Sequence, residues 1–209
     1  IKQILFSSTG AVYGELCLEN PVTEEAGPLL PISTYAAGKI ASEAFISSFS
    51  QLYGVRGWMF RFGNVIGGRM THGVIYDFIN KLKANPKELM ILGDGTQQKN
   101  YFLVEECMYG MAWSFQNIAM TEARPSDVFN LGTTTVTKVT DIAKIVAEEM
   151  GITPEFKIQG AKRAWPGDQP KVNFKVDKMT ALGWTTRYSS TESVRKAVRR
   201  MLGKDALIS

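Results

Sequence analysis

Tyr35-Ala36-Ala37-Gly38-Lys39 lies just inside a helix whose start is marked by Pro31-Ile32-Ser33 and whose end is marked by Gly54. A tyrosine and a lysine at this spacing share one helix face. Before the helix comes an apolar run, Ile1-Lys2-Gln3-Ile4-Leu5-Phe6, leading into Ser7-Ser8-Thr9-Gly10; after it comes another, Val55 to Phe62. The pattern predicts a strand at about 3–8, a helix at about 33–53 and a strand at about 55–62. Strands alternating with helices argue for a parallel α/β sheet. Ligands of such sheets sit beyond the carboxyl ends of the strands, and here those ends are Ser7–Thr9 and the loop Gly63–Gly67.

A phenol has an ordinary pKa of about 10, so it accepts a proton at neutral pH only where its anion is stabilised. An ammonium nearby is one source of that stabilisation. The spacing alone also fits an aromatic on a core-facing helix beside a solvated lysine.

The 209 residues, 44% hydrophobic and 21% charged, suit a soluble globular chain with a real core. No apolar run is long enough to span a membrane. Cys17 and Cys107 form no CxxC pair, so neither a metal knuckle nor a disulfide framework is suggested, and a reducing cytoplasm is the default. A single histidine, His72, rules out a multi-histidine metal site. The net charge of +4 has no nucleic-acid motif behind it and suits an anionic small substrate. Arg195, Lys196, Arg199, Arg200 and Lys204 read as the wet face of an amphipathic helix.

Further along, helices are expected at about 73–83, 105–117, 138–150, 177–182 and 191–202. Strands are expected at 89–92, 98–104, 127–131 and 155–158, and residues 14–32 and 63–68 read as loops. The character changes after Gly67 from regular β-α-β to shorter, mixed elements. Residues 1–67, with 127–150 returning to them, read as part of a nucleotide-binding domain. Residues 68–126 and 151–209 read as a smaller substrate domain.

Ser7-Ser8-Thr9-Gly10-Ala11-Val12-Tyr13-Gly14, Tyr35-Ala36-Ala37-Gly38-Lys39 and Arg61-Phe62-Gly63-Asn64-Val65-Ile66-Gly67 occur in that order. So do Gly93-Asp94-Gly95-Thr96-Gln97-Gln98-Lys99-Asn100-Tyr101, Phe129-Asn130-Leu131-Gly132, Gly167-Asp168 and Leu182-Gly183-Trp184. The ordered set resembles the extended short-chain dehydrogenase/reductase family, specifically its NAD-dependent nucleotide-sugar epimerases and dehydratases. The resemblance implies the C-terminal part of a Rossmann-type, doubly wound parallel sheet (α/β) plus a smaller mixed α/β substrate domain. It implies NAD as cofactor and a nucleotide-diphosphate sugar as substrate.

Carried over by position, the resemblance makes Tyr35 the base that takes a proton from a sugar hydroxyl. Lys39 holds the nicotinamide ribose and stabilises the tyrosinate, and Thr9 bridges the sugar hydroxyl and Tyr35. Ser7 and Phe62 fall among the cofactor contacts. Asn64, Lys99, Tyr101, Arg163 and Asp168 fall among the substrate contacts. Lys99-Asn100 stands where many members carry Arg-Asp, so Lys99 offers a point charge rather than a planar fork.

Dehydratases of the family usually carry Asp-Glu directly after the threonine. Gly10-Ala11 holds those places here and can move no proton, so 4-epimerisation of a UDP-hexose fits best; the alternatives are a dehydratase, reductase or decarboxylase of the same family, or a non-catalytic sugar-nucleotide-binding fragment. The family's phosphate-binding glycine loop lies ahead of the first residue. The expectation is therefore an incomplete C-terminal portion, inactive as given and without micromolar affinity for NAD, whose Ile4–Ser8 strand shows an open edge. Many relatives dimerise through a four-helix bundle; the helix at 33–53, with Phe45, Phe49 and Leu52, would contribute to a homodimer.

Overall fold

The computed structural model describes residues 1–161 and 169–206. Its principal sheet is parallel, with strand order β1-β2-β7, where β1 is Gln3–Thr9, β2 is Arg56–Phe62 and β7 is Ser126–Leu131. In register, Thr9 lies beside Phe62 and Phe62 beside Leu131, so all three strands end level. Helix α1 (Thr34–Tyr53) connects β1 to β2. Ser33 caps its start by accepting from the Ala36 N–H at 3.2 Å, and Gly54 ends it in the left-handed conformation at φ 66°.

Period-two alternation assigns the two faces of β2. Gly57, Met59 and Arg61 face α1, and Gly57 must be glycine because a Cβ there would lie 2.8 Å from Ile46. Trp58 and Phe60 join Phe129, Leu131, Cys107, Met179 and Trp184 in a core beneath α3 (Val104–Asn117) and α5 (Asp177–Ala181).

A second core gathers α2 (Val74–Ala84), β4 (Glu88–Ile91), α4 (Val139–Met150) and α6 (Ser190–Met201) around Ile75, Leu82, Leu89, Ile142 and Val198. Glu149 on α4 is gripped by Arg195 at 3.0 Å and Arg199 at 3.2 Å. The basic side of α6 is therefore partly tied to α4 rather than wholly wet. A third core packs the 3-10 helix Gly10–Cys17 against Val172, Phe174 and Val176.

Residues 63–68 and 98–104 depart from the sequence expectation. Asn64–Ile66 is a strand, β3, paired in parallel with β6 (Tyr101–Leu103). The expected strand over 98–104 is broken at Asn100: β5 (Gln98–Lys99) pairs instead with β8 (Thr137–Lys138) and β10 (Lys171–Val172). The strand β9 (Glu155–Ile158) lies beside β4. Residues 10–17, expected in part as loop, form the 3-10 helix.

The two outer edges of the principal sheet differ. On β7, the Asn130 N–H donates to Glu24 Oε1 at 2.8 Å and the Val128 N–H to Asp127 Oδ1 at 2.8 Å, while Lys178 Nζ donates to the Val128 carbonyl at 2.6 Å. Side chains thus occupy that edge. Strand β1 borders no further strand among the described residues. No helix among them is long and apolar enough to cross a membrane.

Candidate active site

Tyr35 occupies the first turn of α1 and is 59% exposed. The N-cap at Ser33 fixes this placement, and any negative charge forming on the phenol sits near the positive end of the helix. Lys39, one turn on, donates from Nζ to the Ser7 carbonyl at 2.7 Å. The same Nζ lies 5.8 Å from the Tyr35 ring centroid and 5.0 Å from that of Phe6. The ammonium therefore links the phenol to the carboxyl end of β1. Two of its three N–H donors are left for other acceptors.

Thr9 ends β1, and its Oγ1 accepts the Ala11 N–H at 3.2 Å. That bond caps the following 3-10 helix and leaves the hydroxyl proton to be donated elsewhere. Gly10 is buried, and a Cβ there would meet the Phe174 ring at 2.6 Å and the Phe62 carbonyl at 3.0 Å. Phe62 itself is half-buried and stacked on Phe60, with centroids 6.4 Å apart.

Lys99 and Tyr101 meet in one cleft, which Asn64 does not line. Asn64 is opposite Tyr101 in the β3–β6 pair. Lys99 and Tyr101 line a cleft of about 390 Å³ together with His72, Phe78, Leu92 and Val139. The cleft mixes an apolar floor with an ammonium, an imidazole and the Asp77 carboxylate, which suits a planar ring bearing polar groups. Arg163 and Asp168 lie outside the described residues.

Sequence reasoning passed over three features. Asn100 is buried; its Oδ1 accepts the Thr133 N–H at 3.1 Å and its Nδ2 donates to the Thr133 carbonyl. Its own carbonyl accepts the Asn64 N–H at 2.7 Å. Cβ atoms at Gly63 or Gly132 would both lie 2.6 Å from its Oδ1, so one amide ties together the ends of β2 and β7. No local sequence pattern announces this.

Glu43 on α1 is buried, as is Arg61 on β2; they pair at 2.7 Å, and Ser8 Oγ donates to Glu43. A charge inside the apolar run Trp58-Met59-Phe60-Arg61-Phe62 was the available signal, since buried charges require partners. Third, the Arg61 guanidinium lies 4.9 Å from the Tyr13 ring centroid, and Tyr13 donates to Asn130 Oδ1 at 2.6 Å. Burial pushes the Tyr13 phenol from 10.0 up to about 12.

A parallel sheet with a helix-borne Tyr/Lys pair at its carboxyl end defines an α/β fold of the Rossmann type. The model of the NAD dependent epimerase/dehydratase family matches residues 1–132, and the chain belongs to that family. It is 29% identical over 208 residues to a putative UDP-glucose 4-epimerase of Methanocaldococcus jannaschii, covering 96% of this chain and 63% of that protein. It is 30% identical over 200 residues to a trifunctional UDP-glucose 4,6-dehydratase/UDP-4-keto-6-deoxy-D-glucose 3,5-epimerase/UDP-4-keto-L-rhamnose-reductase of Arabidopsis thaliana, covering 95% of this chain and 29% of that protein.

Among solved structures, a UDP-galactose 4-epimerase superposes with a TM-score of 0.85 at 35% identity, over 98% of this chain and 64% of that one. The Thermus thermophilus UDP-glucose 4-epimerase in complex with NAD gives 0.80 at 29% identity, over 97% and 65%. The chain thus spans less than two thirds of each of these relatives. The residues present fit the nicotinamide-ribose end of NAD: spare ammonium donors on Lys39 and an exposed Tyr35.

Proposed function

We propose that the protein containing this chain interconverts 4-epimers of a UDP-hexose, such as UDP-glucose and UDP-galactose, with NAD as cofactor. The observation that carries this reading is Gly10. Dehydratases of this kind need an acid beside the threonine to expel water, and the Phe174 ring leaves no room for a side chain at that place. Position 11, an alanine, has nothing to ionise.

Tyr35 takes the proton of the sugar 4-hydroxyl, and Thr9 donates its own proton to orient the oxygen. Lys39, held by the Ser7 carbonyl, stabilises the phenolate and binds the nicotinamide ribose. NAD, when bound, supplies reversible two-electron oxidation at the sugar carbon. Once the keto-sugar has turned over, so that its opposite face would take back the hydride, Tyr35 returns the proton to the same oxygen. Asn64, Lys99 and Tyr101 hold the nucleotide-diphosphate portion, with the base in the cleft that includes Phe78, Leu92 and Val139; Arg163 is assigned to the diphosphate and Asp168 to the substrate.

In this reading the principal sheet belongs with the cofactor, and the core of α2, β4, α4 and α6 with the sugar nucleotide. The exposed stripe Phe45, Phe49, Leu52 and Tyr53 on α1 supports a homodimer through that helix. Two buried free cysteines suit a cytoplasmic protein.

The test is a product assay on the full polypeptide that carries this chain, supplied with NAD and UDP-galactose. UDP-glucose as sole product supports the proposal. A 4-keto-6-deoxy sugar, or net reduction of NAD, overturns it in favour of a dehydratase, reductase or decarboxylase. Failure of the 209-residue chain to bind UDP in its cleft would refute the substrate assignment.

A further inference from the structure

Tyr35, Lys39 and Glu43 follow one another at four-residue intervals along α1, so they form one stripe facing β1. Each interval is about 6 Å of helix axis. The first two bear the proposed chemistry; the third is 6% exposed. Its carboxylate is fully engaged. Ser8 Oγ donates to Oε1, and Arg61 donates from Nε to Oε1 at 3.1 Å and from Nη2 to Oε2 at 2.7 Å. Arg61 also donates from Nη1 to the Glu24 carbonyl at 3.3 Å.

The partners matter because of where they sit. Lys39 grips the main chain of Ser7, and Glu43 grips the side chain of Ser8. Two successive turns of the helix thus hold two successive residues of β1. Each contact restrains the roll and slide of α1 on the strand, in addition to the packing of Ile46 over Gly57. Two contacts about 6 Å apart fix both motions. Arg61 on the central strand β2 then prevents the carboxylate from turning away.

We infer that Glu43 is a positioning residue for the Tyr35–Lys39 pair: its clamp on Ser8 and Arg61 sets where α1 lies on β1, and so where the ammonium and phenol meet the strand end. The inference rests on the Tyr35–Lys39 assignment above, but its test needs neither NAD nor substrate, so the two can fail separately.

The Lys39 ammonium lies 5.0 Å from the Phe6 ring centroid, so the ring shifts the Lys39 ε-methylene proton resonance upfield. In the 209-residue chain with labelled lysine, that signal is assigned by its loss in Lys39→Arg. In Ser8→Ala and Glu43→Gln it should move most of the way to the position of free lysine, and in Glu43→Asp part of the way. Ile46→Val, which trims the same helix elsewhere, should leave it in place. A Lys39 signal unmoved in folded Ser8→Ala overturns the inference, as does an equal movement in Ile46→Val. Should Glu43→Gln fail to fold, Ser8→Ala, which removes one hydroxyl only, decides the matter.

Discussion

Lys39 Nζ donates to the Ser7 carbonyl at 2.7 Å, so the ammonium is fastened to the strand end before any ligand arrives. A fastened donor loses little side-chain freedom when it takes a further acceptor, whereas a free lysine loses up to about 2 kcal/mol of rotamer entropy. Lys39→Met removes both the tether and the charge. Loss of one charge-assisted hydrogen bond is about 1.5–3 kcal/mol, so NAD binding to the full polypeptide should weaken roughly 10- to 100-fold. Calorimetric titration checks this.

Tyr35→Phe keeps the ring and deletes the hydroxyl. Turnover in the full polypeptide should fall by about 100- to 10,000-fold, the range for a lost general acid–base. The circular dichroism spectrum should be unchanged, because a side chain 59% exposed contributes little to the core. Unchanged turnover would remove Tyr35 as the base.

Gly10→Ala places a methyl 2.6 Å from the Phe174 ring. Overpacking of this kind costs about 1–3 kcal/mol. Phe174→Leu should recover part of that loss, so the double variant should be more stable than the sum of the two single effects in urea unfolding. Strict additivity would show that the two residues do not press on each other.

Tyr13 titrates at about 12 when folded and near 10.0 when unfolded, because burial disfavours its anion. Between these values the unfolded chain releases a proton that the folded chain keeps, so stability falls as pH rises from about 10 to about 12. The full difference is roughly 3 kcal/mol. Tyr13→Phe should be less stable at neutral pH for want of the Asn130 hydrogen bond. Its unfolding curve should also lose this alkaline slope, which denaturant melts at about pH 9, 10.5 and 12 would show.

Asn100→Ala leaves the Thr133 N–H and carbonyl without their side-chain partner in a site only 2% exposed. The expected destabilisation is about 2–4 kcal/mol. Proton exchange at the Thr133 amide should quicken more than exchange in α6, since the strand ends loosen locally.

Much of this was legible in the chain itself. Ser33 and Gly54 bracket α1 because a cap and a left-handed terminator are local chemistry. The Tyr35–Lys39 spacing put both side chains on one helix face, and the structure sets the Lys39 ammonium 5.8 Å from the Tyr35 ring centroid. Residues Asn64–Ile66 were not legible as a strand, because glycines flank the run and its partner Tyr101–Leu103 lies far along the sequence. Nor was the Asn100 tie, whose meaning depends on Gly63 and Gly132 being brought beside it. Glu43 was half legible: Arg61 in an apolar strand demanded a carboxylate, but nothing local said which.

The sheet has one sealed margin and one bare one among the described residues. Glu24, Asp127 and Lys178 shut the β7 side against any incoming backbone. A backbone strand from elsewhere can therefore join this sheet only alongside β1, so the sheet extends in one direction alone.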